Sequence, residues 1–315
     1  MDFILPFPLK KLPQQVNIQQ AMLLVGSCFA EEIGAKLSER KFNSLINPHG
    51  ILYNPLSICG AVSNYIENKK YSQADIFLHD ELWRSFSHHG KFADVNAEAC
   101  LANINHHISE AHQQLKNAKW LVLTFGSAFA YTHKDTIVAN CHKLPAAQFK
   151  KVLLTKEQIV AKWQKQLNAL KTFNPQLQIM FTVSPVRYVR DGIIENNRSK
   201  GILLDAVHTL IEQNTNCFYY PAYEIVIDEL RDYRFFKEDL VHPNHLAINY
   251  VWQKFVDAAC DDETKNFIAD YEPIMRSLQH RDLQQETSAS IKFKKTLEEK
   301  QSVLRKKYPF VKTFL

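Results

Sequence analysis

A chain of 315 residues with 46% apolar and 23% charged side chains is long enough to bury one large α/β core or two small ones, and its composition is that of a globular protein. The formal charge of +5 comes from dispersed lysines with no arginine-rich arm or basic stripe, which argues against nucleic-acid binding. No window approaches the roughly eighteen apolar residues of a membrane span, and Met1 to Gln20, interrupted by Pro6, Pro8 and Pro13, lacks the apolar run of a signal peptide. Cys28, Cys59, Cys100, Cys141, Cys217 and Cys260 form no CxxC pair, so neither a zinc site nor a disulfide scaffold is expected. Reduced thiols in a cytoplasmic protein are the expectation, and no cofactor is.

In chain order, the apolar run Met22-Leu23-Leu24-Val25 ends in Gly26-Ser27 and leads into a helix-like segment from Glu31 to Arg40. It reads as a buried strand turning tightly into a helix. Ser27 then sits where ligands of open α/β sheets collect, at a strand's carboxyl end beside a helix N-terminus, although a plain helix cap is an equally direct reading. Phe42 to Ile46 gives a short strand, and Asn47-Pro48-His49-Gly50-Ile51-Leu52-Tyr53-Asn54-Pro55 a loop, its Gly50 permitting close backbone approach. A helix over 56–68 comes next, then two short strands around Asp80-Glu81; the adjacent His88 and His89 point apart and make a poor metal pair. Leu101, Ile104, Ile108, Ala111 and Leu115 mark an amphipathic helix, with His106, His107 and His112 off its stripe and expected in solvent.

Trp120 to Phe125 repeats the opening pattern, an apolar run closed by Gly126-Ser127. Val138 to Pro145 then gathers Asn140, Cys141 and His142 in a segment too short for a core helix. Thr155 and Gln158 form a capping box before the stripe Ile159, Trp163, Leu167, Leu170. A strand over 177–183 ends at Ser184-Pro185-Val186-Arg187, a helix spans 199–213, and 217–221 is a last short strand. Strand alternating with helix predicts a parallel sheet covered on both faces, a three-layer α/β/α sandwich. In Asp239-Leu240-Val241-His242, the carboxylate can accept from the imidazole Nδ1–H and leave Nε2 facing a nucleophile. A helix with Ile248, Val251, Trp252 and Phe255 inward comes after it. From Arg276 onward charged and amide residues dominate, so 1–275 is read as the domain and 276–315 as a helical extension outside the sheet. A chain ending near Ser277 is expected to keep the fold, and Tyr308-Pro309-Phe310-Val311 to dock on the domain or a partner.

Gly26-Ser27-Cys28-Phe29-Ala30, the Asn47–Pro55 stretch, Thr124-Phe125-Gly126-Ser127, Asn140-Cys141-His142-Lys143-Leu144-Pro145, Ser184-Pro185-Val186, Pro221-Ala222-Tyr223-Glu224 and Asp239-Leu240-Val241-His242-Pro243 together resemble the GSCFA-domain family, itself similar to the SGNH/GDSL hydrolases. The resemblance implies an SGNH-like sandwich with flavodoxin-like strand order. It also implies Ser27 as nucleophile, His242 as base, Asp239 as the carboxylate that orients it, and the amides of Ser27 and Gly50 as an oxyanion hole. SGNH enzymes usually carry Gly-x-Asn in the third block, where this chain has Gly126-Ser127-Ala128, so Ser127 or Asn140 would have to stand in for the missing donor.

The expected function is serine acyl transfer, by an esterase or acyltransferase working on an acyl ester such as that of an acylated carbohydrate. Asn140, His142 and Arg187 are candidates for holding a polar substrate. The alternative is a non-catalytic carbohydrate-binding or interaction module on the same scaffold, favoured by the absent Asn and disfavoured by the retained Ser27, Asp239 and His242. A thiol enzyme built on Cys28 is disfavoured, because one residue into the helix its side chain points away from Ser27.

Overall fold

The computed structural model describes residues 5–279 and 287–313. The first four residues of the segment read as lacking a signal peptide, and 280–286 and 314–315 of the C-terminal extension, lie outside the described residues. In order the chain forms β1 (Met22–Gly26), α1 (Cys28–Glu39), β2 (Ser44–Ile46), α2 (Pro55–Glu67), the hairpin β3 (Phe77–His79) and β4 (Leu82–Arg84), α3 (Ala97–Asn117) and β5 (Trp120–Phe125). Next come β6 (Phe129–His133), β7 (Thr136–Val138), β8 (Lys150–Leu153), α4 (Lys156–Phe173), β9 (Gln178–Val183), α5 (Ile193–Gln213) and β10 (Cys217–Tyr219). A short α6 (Ala222–Glu224) widens into a π-turn over Ile225–Leu230, and α7 (His245–Ala259), α8 (Asp262–Gln279) and α9 (Ser288–Lys307) complete the chain.

The central sheet has five parallel strands in the order β2-β1-β5-β9-β10. Alternation along each strand sends successive side chains to opposite faces. Met22, Leu24, Trp120 and Val122 pack with Phe29, Leu37, Val251 and Phe255 of α1 and α7. Leu23, Val25, Leu121 and Leu123 pack on the other face with Ile58, Val62, Trp163 and Leu203 of α2, α4 and α5. Buried on both faces, β1 and β5 are continuous apolar runs, which made them legible. The Thr155–Gln158 capping box forms as expected, and Asp80 and Glu81, both in the left-handed region, make the β3–β4 turn.

Three local expectations are corrected. Residues 129–153 form an antiparallel three-stranded sheet, β7-β6-β8, whose alternation is too weakly apolar to stand out. Helix α5 begins at Ile193, because its polar first turns are held by tertiary contacts. The His112 ring leaves solvent to bond the Tyr65 carbonyl oxygen through Nδ1 at 2.7 Å.

The C-terminal helices lie outside the sheet but not apart from it. Phe267, Tyr271 and Ile274 of α8, Leu304 of α9, and then Tyr308 and Val311 join the hydrophobic cluster that includes Met22 and Leu24. Tyr308 packs edge-on to Phe267 and its hydroxyl donates to Asp270 at 2.8 Å. The terminal aromatics therefore dock on the domain itself. A chain ending near Ser277, expected to keep the fold, would leave Phe267 and Tyr271 uncovered.

Candidate active site

The sheet's topological switch lies between β1 and β5, where the chain leaves to build β2 on one side and returns to build β5 on the other; such a point opens a crevice at the carboxyl ends of the strands. Gly26-Ser27 and Gly126-Ser127 both end there. Gly26 has φ +151°, and a Cβ on it would lie 2.2 Å from the Thr124 carbonyl oxygen, so only glycine fits beside β5. Ser27 is the N-cap residue of α1, yet its side chain makes no capping bond. Its Oγ is buried without any hydrogen-bond partner, which disposes of the plain-cap reading. Gly126 separates Ser27 from Tyr53: a Cβ there would lie 3.2 Å from the Ser27 Cβ and 3.3 Å from the Tyr53 ring.

The amides expected to form an oxyanion hole are already engaged. Ser27 N–H donates to Thr124 O at 3.2 Å, continuing the β1–β5 ladder, and Gly50 N–H donates to Asn47 O at 2.7 Å, closing the turn that φ +76° at Gly50 permits. The Ser127 hydroxyl is not a substitute for the missing Asn. It lies 3.2 Å from Ser199 Oγ on α5 and accepts from Phe129 N–H at 3.0 Å.

Asp239 and His242 do meet. His242 Nδ1–H donates to Asp239 Oδ2 at 2.7 Å, while Oδ1 accepts the amides of Val241 and His242 at 2.9 and 3.0 Å. Those two amides, ahead of the imidazole bond, hold the Asp239 carboxyl down at about 2. The turn is closed by Lys237 N–H to His242 O at 2.7 Å, with Leu240 in the left-handed region. Lys237 reaches Glu32 of α1 at 3.1 Å, tying the turn to the helix that Ser27 begins. Arg187, expected to hold substrate, serves this turn instead. Its amide donates to Val241 O at 3.2 Å and its guanidinium stacks 4.6 Å from the Phe236 ring centre, an arrangement that uses up its planar face.

A cavity of about 550 Å³ opens beside Tyr53, lined also by Ser127, Asn140, His142 and Arg190. Asn140 Oδ1 accepts the His142 amide at 2.8 Å, bracing a turn in which His142 and Lys143 are both left-handed, so only the Asn140 Nδ2 is left for a ligand. His142, expected to contact substrate, lines the cavity with its Nδ1 buried and without a hydrogen-bond partner. Its Nε2–H donates to Ser85 O at 2.7 Å, its ring packs near Phe77 and Phe86, and burial holds its pKa below the usual histidine value. Burial likewise pushes the Cys28 thiol up, which opposes a thiolate nucleophile.

The model of the GSCFA family matches residues 21–255, most of the chain. The chain belongs to the GSCFA family. No curated protein matches it. The stretch that gives the GSCFA family its letters thus ends β1, makes the tight turn and opens α1, placing the orphaned Ser27 hydroxyl in the middle of the motif. Among the described residues no group of three His, Cys, Asp or Glu side chains is arranged to hold a metal ion, and no helix is long and apolar enough to cross a membrane.

Two features of this GSCFA site escaped the sequence reading. Lys200 is fully buried on α5, where its amine donates to Gly126 O at 2.7 Å and Ser184 O at 2.6 Å, tying the ends of β5 and β9 together; burial brings it down to about 7. Its signal was a lysine on the stripe Asn196, Ser199, Leu203, Val207, a position where an unpaired charge is rarely placed. His49, inside the Asn-Pro loop, stacks on His88 at 4.2 Å and contacts the Tyr65 hydroxyl through Nδ1 at 2.8 Å, anchoring the loop that carries Tyr53. Only spatial proximity reveals that pair.

Proposed function

We propose that the protein is an SGNH-like serine esterase or acyltransferase acting on an acyl ester, with Ser27 as nucleophile, His242 as base and Asp239 as its orienting carboxylate. The observation that carries this reading is the clamp on His242, in which Asp239 fixes Nδ1–H and leaves Nε2 as the acceptor. Ser27 Oγ would attack the ester carbonyl and pass its proton to Nε2. Collapse of the tetrahedral intermediate would release the alcohol with that proton, leaving an acyl-serine, and water or an acceptor hydroxyl would complete the cycle by the same route. The oxyanion would lie at the positive end of α1, with Asn140 Nδ2 as a side-chain donor.

A second reading, a carbohydrate-binding or interaction module that has kept the scaffold, is favoured by the engaged amides of Ser27 and Gly50. A fluorophosphonate probe decides between them, because phosphonylation requires an activated serine. The wild type is expected to label and to hydrolyse p-nitrophenyl acetate; Ser27→Ala is expected to do neither, and Asp239→Asn to lose on the order of a thousandfold in rate. A folded wild type that neither labels nor hydrolyses a panel of aryl esters and acetylated sugars would leave the binding module as the better reading.

A further inference from the structure

The cavity beside Tyr53 and Ser127 has a chemical character of its own. Its walls are aromatic, formed by Tyr53, Phe129, Tyr131, Phe149 and Tyr188. Its volume of about 550 Å³ lies within the ordinary range for small-molecule sites. The charged side chains that line it, Lys143 and Arg190, are both cationic, and no aspartate or glutamate lines it. Neither has an ion-pair or hydrogen-bond partner among the described residues, whereas Lys151 nearby is paired with Asp191 and stacks 4.3 Å from the Phe129 ring centre. Both unpaired cations are solvent-exposed, whereas Phe129, Tyr131, Phe149 and Tyr188 are half-buried.

A sugar ring fits this division. Its C–H face carries slight positive charge and lies favourably against the negative face of an aromatic ring, while its hydroxyl edge seeks donors and acceptors such as Asn140 Nδ2. Two cations with no acid to neutralise them call for an anionic substituent, which would accept charge-assisted hydrogen bonds from the Arg190 guanidinium. The left-handed backbone at His142 and Lys143, braced by Asn140, fixes Lys143 on the rim.

We infer that this cavity is the binding site for an anionic carbohydrate, one whose sugar ring stacks on the aromatic wall and whose carboxylate or phosphate meets Arg190 and Lys143. As the acyl-accepting or acyl-bearing subsite it rests on the proposed role of Ser27; as a binding site it does not. The test is direct binding, measured calorimetrically in the Ser27→Ala protein so that no turnover is needed. Digalacturonate is compared with neutral galactobiose and with galactose 1-phosphate. Either anion is expected to bind roughly tenfold or more tighter than the neutral disaccharide. The Arg190→Gln/Lys143→Gln double variant is expected to abolish that preference with its melting temperature unchanged, since neither side chain has a partner to lose.

A uronate preference over phosphate identifies a carboxylate as the anion, and the reverse a phosphate. Equal binding of the neutral sugar, a preference that survives in the double variant, or no binding of any of the three overturns the inference. An inactive wild type that still prefers the anions keeps the inference and removes the esterase. An active esterase without charge preference does the opposite.

Discussion

Two neighbouring strands of this protein end in the same dipeptide, and the two serines have opposite fates. After β1, Ser27 Oγ is buried and unpartnered; after β5, Ser127 Oγ is engaged by Ser199 and the Phe129 amide. The difference comes from the element beyond each turn. Ser27 opens a helix whose first turn offers its side chain nothing, whereas Ser127 faces α5, where Ser199 also takes the Ala128 amide at 2.7 Å. A buried hydroxyl without a partner is costly, and that cost is borne at Ser27 and not at Ser127.

The sharpest test of this contrast is a pair of alanine substitutions with opposite readouts. Ser27→Ala is expected to lower esterase turnover by on the order of 10⁴-fold or more while leaving the melting temperature within a degree or two, because no bond is lost. If the variant were clearly less stable, Ser27 would hold a structural bond after all. Gly126→Ala should disturb both sides of the comparison, since its methyl group would press on Ser27, Tyr53 O and the Tyr53 ring; a loss of about 1–3 kcal/mol in chemical denaturation together with reduced turnover is expected.

Ser127→Ala should cost about 1–2 kcal/mol of stability by stranding the Phe129 amide, with turnover largely kept. A large rate loss at unchanged stability would move Ser127 into the catalytic machinery. Cys28→Ser, next to Ser27 but with its thiol pushed up by burial, is expected to change rate less than about twofold, a change too small to register as catalytic.

Lys200 ties the turn after β5 to the end of β9 and can be read by pH. The unfolded chain keeps the Lys200 proton up to 10.5, whereas the folded chain releases it at about 7. Between those values the unfolded state binds more protons, so stability rises with pH; below 7 the penalty of a buried ammonium is fully present. The whole effect is on the order of 5 kcal/mol. The stability difference between wild type and Lys200→Met, measured by chemical denaturation across that window, is therefore expected to grow in favour of the wild type as pH rises. A flat difference would show that the amine stays charged.

Much of the fold was legible because the buried parallel strands leave continuous apolar runs and the helices leave stripes: Met22 to Val25, Trp120 to Phe125 and Ile159 to Leu170 announced themselves. The β6–β8 sheet was not, since its half-buried strands carry Tyr131, His133, Lys150 and Lys151 alongside apolar residues. At the site, Asp239 and His242 were readable because their contact is local, within one turn of chain. The packing of Ser127, His142 and Arg187 was not legible, because their partners Ser199, Ser85 and Phe236 come from distant parts of the chain. The aromatic cavity was invisible for the same reason. Tyr53, Phe129 and Tyr188 belong to three separate loops or strands that meet only when the sheet closes.

The docking of Leu304, Tyr308 and Val311 into the cluster shared with β1 has a consequence for biogenesis. During synthesis the sheet and the Gly26-Ser27 turn emerge long before the residues that seal that face, so a nascent chain released as far as α8 would present Phe267 and Tyr271 to water and to chaperones. Folding of the layer beneath Ser27 would wait for Leu304, Tyr308 and Val311 to leave the ribosome. Pulse proteolysis of stalled chains of increasing length should show protection of β1 rising in one late step, after Val311 has emerged.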